Sequence, residues 1–253
     1  MREIPVLDKG FVRLVGYMVD LVDTEPEGFD DHFEHTGFRV PHGHTLDAQI
    51  VRAARVSYGK GTKTIREDEK LIRYLLKHEH WSPFEMVEFK FHVKAPIFVA
   101  RQWFRHRTAS VNEVSARYSV VEDEYYVPEY WRLQDTKNKQ GSVGRLDELT
   151  NAYATDAYTE AVEMAFKAYE ALLNAGVARE MARMVLPVSV YTQFYWKQDL
   201  RNLLHFLRLR LDPHAQWEIR QYAEAILQLI EPLVPVTVRA WKELYLNAEG
   251  GAA

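Results

Sequence analysis

Residues 101–118 read RQWFRHRTASVNEVSARY, a stretch in which four arginines and one histidine stand close together. Only Glu113 offsets these cations, although the chain as a whole carries a formal net charge of -4. A guanidinium makes paired, planar hydrogen bonds to phosphate or carboxylate, so the stretch predicts a site for a small anion. From charge alone the alternative is a solvated helix face followed by a polar loop.

The composition limits the classes of protein that the chain can represent. Its 253 residues, 47% of them hydrophobic and 27% charged, are enough for one sizeable core. A sequence pI near 6.2 argues against a nucleic-acid binder. There is no apolar run of bilayer-spanning length, and the first residues, MREIPVLDKG, lack the apolar segment of a signal peptide. We therefore expect a cytoplasmic protein that contacts neither nucleic acid nor membrane.

Cysteine is absent, and histidine is concentrated in one segment. The missing thiols exclude disulfides, thiolate metal sites and a cysteine nucleophile. Residues 20–45 form a loop or lid candidate that contains His32, His35, His42 and His44. Their H-x2-H and H-x-H spacings match no strong metal signature, so no metal site is predicted.

Hydrophobic periodicity predicts an α+β fold with two or three strands and many helices. Residues 11–19 and 86–94 are predicted strands, with Val87, Phe89, Phe91 and Val93 on one buried side. Predicted helices begin at Thr45-Leu46-Asp47, at Glu67, at Pro96, at Asn151 and at Ala178, and a further one follows Asp199.

Four segments have less regular patterns. Residues 122–128 are a possible short strand, and residues 132–147 read as a loop. Residues 188–196 either extend a helix or cross the core. Asp212-Pro213 is expected to cap the last major helix.

The order of residues within the cationic stretch is specific. Arg105, His106, Arg107 and, after seven residues, Ser115 read RHR-x7-S, which resembles the signature of the flavin-dependent thymidylate synthases. Residues 80–85, HWSPFE, resemble that family's H-x-(S/T)-P-F-E segment. Residues 201–210 resemble its R-x3-(H/N)-F-x3-R segment. The resemblance covers about residues 5–18 and 46–245.

The resemblance implies a fold, a reaction and a cofactor. The fold is a small antiparallel sheet packed with several long helices, here one domain over residues 1–253 with a loop extension at 20–45 and a flexible tail at 246–253. The reaction is the reductive methylation of dUMP to dTMP, with 5,10-methylenetetrahydrofolate as carbon donor and NADPH as reductant acting through FAD. Reduced flavin delivers hydride, so the enzyme needs no nucleophile. This fits a chain without the cysteine that the better-known thymidylate synthases use.

The resemblance also assigns residues. Arg117 and Arg183 would clamp the phosphate of dUMP, with Gln102 and Ser115 adding neutral hydrogen bonds. The positions expected to bind dUMP are Gln102, Arg105, Glu113, Ser115, Ala116, Arg117, Arg183 and Arg210. Arg105 and Arg210 at the uracil carbonyls, together with Ser115, form the catalytic set, in which Ser115 is a binding group and not a covalent nucleophile.

The positions expected to bind FAD are Ser57, Ser82, Glu85, Arg105, His106, Arg107, Thr108, Asn112, Glu113, Arg201, His205 and His214. His80 would border the folate site. Two positions depart from the family pattern: Ala116 replaces a common glycine, and Asp199 replaces a common asparagine. An ionised carboxylate cannot donate a hydrogen bond, so Asp199 is left out of the flavin set. In the family each site draws on more than one chain, so the resemblance implies a homotetramer.

Two other functions are weighed against this one. A non-catalytic nucleotide-phosphate-binding module would use the arginine cluster but would not require the segments at 80–85 and 201–210. A histidine-rich metallohydrolase would require a bound zinc or iron ion.

Overall fold

The computed structural model describes residues 2–20, 46–56 and 65–246. The predicted cap at Thr45, the predicted flavin ligand Ser57, the histidine-rich loop beyond Asp20 and the tail beyond Leu246 lie outside the described residues. Within the described ranges, every helix is too short or too polar to cross a bilayer.

A five-stranded antiparallel sheet forms the centre of the structure. Its strands are β1 Arg2–Val6, β2 Gly10–Tyr17, β3 Glu88–Pro96, β4 Ser110–Glu113 and β7 Tyr191–Asp199. Across the sheet the strands follow the order β1-β2-β3-β7-β4. A separate two-stranded hairpin consists of β5 Leu133–Gln134 and β6 Ser142–Val143.

Eight α-helices accompany these strands in the described part of the chain. They are α1 Asp47–Arg55, α2 Ile65–Lys77, α3 Ile97–Trp103, α4 Glu148–Asn174, α5 Arg179–Ala182, α6 Leu200–Arg210, α7 Trp217–Ile230 and α8 Pro235–Trp241. Helices α3, α6 and α7 contact the strands of the large sheet. The α+β prediction is confirmed, although the sheet has more strands than the sequence suggested.

The central strand β3 shows why one face of the sheet is covered. Phe89, Phe91 and Val93 are fully buried, as their alternation with polar residues predicts. The other face of the strand carries the exposed Lys90 and the half-buried His92. The helices α3, α6 and α7 pack on the face that carries these apolar residues, and the main hydrophobic core lies between them and the sheet.

An aromatic cluster in that core anchors the cationic stretch. The indole of Trp103, at the end of α3, lies 5.3 Å from the ring of Trp196, 5.0 Å from Phe206 and 5.9 Å from Tyr222. All four side chains are buried. The chain leaves this fixed point directly into Arg105, so the position of the RHR sequence is set by core packing.

Of the two alternatives for residues 188–196, the helix extension is wrong, because Tyr191–Asp199 forms β7 between β3 and β4. The strand pattern is hidden in the sequence. Tyr195 is aromatic yet exposed, and it stacks on His92 with a centroid distance of 4.8 Å. Gln198 is polar yet buried. Burial alternates along the strand while hydrophobicity does not.

Three other local predictions need correction. Helix α7 begins at Trp217 after Gln216, and Asp212 instead accepts a hydrogen bond from the backbone N–H of His214, so Asp212-Pro213 does not cap it. Residues 122–128 contribute a single bridge, between Tyr125 and Val190. Residues 132–147 are not only loop, since they contain the β5–β6 hairpin.

The long helix α4 buries one apolar stripe and exposes other apolar side chains. Val162, Phe166 and Tyr169 are buried in a second hydrophobic cluster, which confirms that its aromatic stripe belongs to the core. Its remaining surface exposes Leu149 and Tyr153, which are 82% and 74% accessible. Large apolar side chains therefore remain on the solvent-facing side of this helix.

Candidate active site

The RHR sequence lies in the turn that follows α3. The backbone N–H groups of Arg105 and His106 donate to the carbonyls of Gln102 and Trp103 at 3.3 and 3.0 Å. This turn leaves Arg105 and Arg107 exposed and places His106 in a half-buried position. Two cations thus face solvent on a rigid base, while the histidine points back toward the protein.

His106 meets the downstream segment through Arg210, at the end of α6. The Nε of Arg210 donates to the Nε2 of His106 at 3.1 Å. An imidazole nitrogen that accepts carries no proton, so His106 is neutral and its proton resides on Nδ1. The ring of His205 lies 6.1 Å away, and that of Phe206 lies 4.9 Å away, edge-on. The fold therefore joins two sequence segments that the resemblance singled out separately.

Electrostatics agree with this hydrogen bond. Burial, the charge of Arg210 and the neighbouring His205 together lower the pKa of His106 to about 4, and burial is the largest of the three causes. Burial also lowers the pKa of Arg210. The guanidinium remains charged at neutral pH because its ordinary pKa is so high. The cationic member of the pair is the arginine.

The lowered pKa of His106 predicts a pH-dependent stability. The ordinary pKa of 6.5 falls to about 4 on folding, so between these values the unfolded chain binds a proton that the folded chain excludes. Stability should therefore be retained above about pH 6.5 and should fall as the pH is lowered toward 4. His106→Gln keeps an acceptor for Arg210 but does not titrate, so its melting temperature should depend less on pH in this window.

The control for that experiment is His78→Gln, at an exposed histidine of the segment that follows α2. This variant should keep the wild-type dependence of melting temperature on pH. Equal slopes for His106→Gln and the wild type would contradict the assignment of a neutral, half-buried His106.

A cavity of about 300 Å³ lies beside this pair and is called here the Arg201 cavity. Its lining combines cations and aromatic rings: Trp81, Arg201, His205, Arg208 and Tyr245, with four further residues. Arg201 Nη1 donates to Glu85 Oε1 at 2.6 Å. Ser82 and His80 are exposed in the adjoining segment.

The Arg201 cavity suits part of a flavin nucleotide. Its guanidinium and imidazole groups match phosphate oxygens, and its aromatic walls match a planar ring. Glu85, Arg201 and His205, all predicted flavin positions, are brought together here. The cavity is too small for a whole dinucleotide, so other residues would have to complete the site.

The departure at Asp199 has a structural explanation. Asp199 is the N-cap of α6, and its carboxylate accepts from the backbone N–H of Asn202 at 3.0 Å and from its Nδ2 at 2.7 Å. Asp and Asn are equally good caps, so the substitution preserves the helix start.

A second cavity, of about 340 Å³, contains predicted dUMP positions and is called here the Glu113 cavity. Glu113, Ala116 and Arg183 line it. The Oε1 of Glu113 accepts a hydrogen bond from the hydroxyl of Thr192 at 2.7 Å. Thr192 is buried on β7, so it holds the carboxylate of Glu113 at the cavity wall.

The two arginines predicted to clamp the phosphate, Arg117 and Arg183, lie at or near this cavity. Arg117 Nε lies 3.3 Å from a carboxylate oxygen of Glu180, and Arg183 Nε donates to the carbonyl of the same residue at 3.4 Å. Ser115 Oγ accepts from the backbone N–H of Arg117 at 3.3 Å. Both guanidinium groups therefore contact Glu180, Arg117 through the carboxylate and Arg183 through the backbone carbonyl.

The structure does not unite all predicted positions in one chain. Among the described residues, the Arg201 cavity and the Glu113 cavity share no lining residue. His214 pairs with Asp212 and lines a third, smaller cavity. Thr108 and Asn112 are exposed near the edge strand β4.

Thr192 is a functional candidate that the sequence did not indicate. Its role depends on the pairing of β4 with β7, which the sequence pattern of residues 188–196 does not predict. The side chain of Gln102 hydrogen-bonds to Gln216, another residue outside every sequence signature.

Comparison with known proteins bears on this site. The family model described as "Thymidylate synthase complementing protein" matches residues 41–236. A flavin-dependent thymidylate synthase from Thermus thermophilus is 58% identical over 245 residues, which cover 96% of this chain and 80% of that protein. The chain belongs to the flavin-dependent thymidylate synthase family.

Other members of the flavin-dependent thymidylate synthase family agree. The protein of that name from Dictyostelium discoideum is 53% identical over 225 residues, covering 88% of this chain and 70% of its own length. Among solved structures, the UMP/dUMP methylase PolB from Streptomyces cacaoi bound with 5-Br dUMP has a TM-score of 0.78 at 33% identity, with 96% of this chain and 98% of that chain covered. The resemblance read from RHR-x7-S is confirmed, and so is the implied fold.

Proposed function

We propose that this chain is a FAD-dependent thymidylate synthase that converts dUMP to dTMP, with 5,10-methylenetetrahydrofolate as carbon donor and NADPH as reductant. The observation that carries the proposal is the hydrogen bond between His106 of the RHR sequence and Arg210 of the downstream segment, beside the Arg201 cavity. A module that binds only phosphate would not require a contact between these two sequence segments. Membership of the family supports the same conclusion.

The side chains suit the handling of dUMP. Arg117 would exchange its contact with the Glu180 carboxylate for the phosphate, and Arg183 would bind the same phosphate. Arg105 and Arg210 would face the uracil carbonyls, where negative charge develops when the ring is activated, and a preorganised guanidinium stabilises such charge. Because the sequence contains no cysteine, thiolate addition to the ring is excluded.

Glu85, Arg201 and His205, with the exposed turn at 105–108, would hold FAD. When bound, FAD supplies the hydride chemistry that no side chain offers. Nearby cations favour negatively charged states of a cofactor. Since His106 is neutral, this contribution falls to the arginines and not to that histidine. His80 would border the folate, and the cytoplasm is the expected location.

We also propose a homotetramer in which subunits share sites. Two observations support assembly: the predicted dUMP and FAD positions occupy separate cavities in one chain, and α4 exposes large apolar side chains. Met164 and Met184, 64% and 73% accessible, extend that apolar surface. Sedimentation should give a tetramer, and a fully active monomer would contradict the proposal.

The proposed reaction is tested with the visible absorption spectrum of the purified protein. An oxidised-flavin band is expected, and anaerobic NADPH should bleach it in the presence of dUMP. Addition of methylenetetrahydrofolate should then yield dTMP. If the protein neither contains nor binds FAD but still binds dUMP, the nucleotide-binding module becomes the better description. If the protein contains stoichiometric metal and loses activity with a chelator, the histidine-rich metallohydrolase becomes the better description.

A further inference from the structure

A buried carboxylate outside every sequence signature is connected to a predicted substrate residue. Glu218, at the start of α7, is only 3% exposed. Its Oε1 accepts from Arg132 Nη2 at 2.6 Å and from the Tyr126 hydroxyl at 3.3 Å. Its Oε2 accepts from the Nε2 of Gln216 at 2.9 Å. Gln216 in turn accepts, through Oε1, a hydrogen bond from the Nε2 of Gln102.

The chemistry of the carboxylate fixes the direction of this chain of hydrogen bonds. Glu218 forms an ion pair with Arg132, and a carboxylate in an ion pair can only accept hydrogen bonds. Gln216 must therefore turn its amide nitrogen toward Glu218 and its oxygen toward Gln102. Gln102 must then use its own nitrogen toward Gln216, which turns its carboxamide oxygen away from Gln216.

We propose that Gln216 and Glu218 are positioning residues that orient the carboxamide of Gln102, so that its oxygen accepts a hydrogen bond from the nucleotide. This inference rests on the proposed function, in which Gln102 contacts dUMP. Phosphate oxygens are acceptors, so this oxygen does not serve the phosphate, where the resemblance would place Gln102. It fits a donor: the ring N–H of uracil or a ribose hydroxyl.

The orientation has a consequence for base selection. An acceptor facing the ring N–H of uracil meets an unprotonated nitrogen in cytosine, which is a second acceptor. Two acceptors that face each other leave a polar group unpaired, which weakens binding. If the partner is the ring N–H, the relay of Gln216 and Glu218 helps to select uracil nucleotides without touching them.

The test is the affinity for dUMP of the FAD-loaded enzyme, measured by titration calorimetry. Glu218→Gln preserves shape but can donate or accept, so Gln216 and Gln102 lose their fixed orientation. Affinity should fall about five- to tenfold, as for one lost hydrogen bond. Gln216→Leu, at an exposed position, should give the same loss without disturbing the buried ion pair. It replaces Glu218→Gln as the test if that variant does not fold.

The matched control is Tyr126→Phe. It removes another hydrogen bond to Glu218 Oε1 but leaves the ion pair with Arg132 and the contact with Gln216, so dUMP affinity should stay within about twofold of the wild type. Gln102→Ala should lose affinity as Glu218→Gln does, and the double variant should be no worse than Gln102→Ala. An additive loss, an equal loss in Tyr126→Phe, or an unchanged Gln102→Ala would each overturn the relay.

Two ligands identify the donor. 3-Methyl-dUMP lacks the ring N–H, and 2′,3′-dideoxy-UMP lacks the ribose hydroxyl. The ligand that lacks the donor recognised by Gln102 should bind the wild type and Glu218→Gln with equal affinity. If Glu218→Gln weakens the binding of both ligands as much as it weakens the binding of dUMP, the proposal is contradicted. These outcomes are separate from the proposed reaction: a wild type that methylates dUMP while Glu218→Gln binds it normally refutes only the relay. A wild type that shows the relay pattern but forms no dTMP refutes only the reaction.

Discussion

Replacement of Arg210 by alanine is expected to lower kcat/KM for dUMP by about 100- to 1000-fold, the usual loss for a group that stabilises developing charge. Arg210 is half-buried at the end of α6, and its Nε is engaged by His106 at 3.1 Å. That contact fixes the orientation of the guanidinium group, whose two terminal nitrogens can then bind the substrate. The chain then presents two parallel donors whose direction does not have to be established when the substrate arrives.

Arg210→Lys should be nearly as impaired as Arg210→Ala, because a lysine has one nitrogen and cannot both contact His106 and present a fork. Steady-state kinetics with dUMP as the varied substrate provide the measurement. Arg73→Ala is the control: Arg73 is exposed, pairs with Glu243 and lines neither the Arg201 cavity nor the Glu113 cavity, so activity should persist. An Arg210→Ala enzyme within threefold of the wild type would remove this residue from the reaction.

The Gly10→Ala variant is expected to lose about 3 kcal/mol of unfolding free energy, at the upper end of the usual range for overpacking. A Cβ at Gly10 would lie 2.1 Å from the Tyr222 hydroxyl and 2.8 Å from the carbonyl oxygens of Lys94 and Val6. None of these can withdraw easily. Gly10 pairs with Val6 across β1 and β2, and the Tyr222 hydroxyl donates to the Lys94 carbonyl at 2.9 Å.

Urea denaturation of Gly10→Ala and Gly16→Ala provides the comparison. Gly16 lies on the same strand, but a Cβ there would meet only the Lys90 side chain, at 4.0 Å. Its substitution should change the unfolding free energy by less than about 1 kcal/mol. If the two variants were equally stable, the close approach of Tyr222 to the β1–β2 turn would not exist in solution.

Local sequence patterns were sufficient for some parts of the fold and not for others. The alternation of Phe89, Phe91 and Val93 identified β3 because hydrophobicity and burial coincide there. In β7 they do not coincide, since Gln198 is buried and Tyr195 is exposed. Long-range pairing with β3 and β4 determines that strand, and no local spacing records it.

The candidate site divides in the same way. RHR-x7-S led to Arg105, His106 and Ser115, because a resemblance transfers positions. It did not reveal that His106 accepts from Arg210, 104 residues away, or that Thr192 holds Glu113. Those contacts depend on the placement of β4 beside β7 and of α6 directly after it, which only the three-dimensional structure provides.

The absence of a loop between β7 and α6 restricts how this protein can vary. Asp199 is both the last residue of the strand and the N-cap of the helix. Seven peptide steps of extended chain, about 23 Å, separate it from Thr192 at the Glu113 cavity. One inserted or deleted residue between them would move the side chains of part of the strand to the opposite face of the sheet. It would also rotate the helix that carries Arg201. The distance between the two cavities is therefore a fixed length, and length changes along the chain should accumulate elsewhere, as in the hairpin at 133–143.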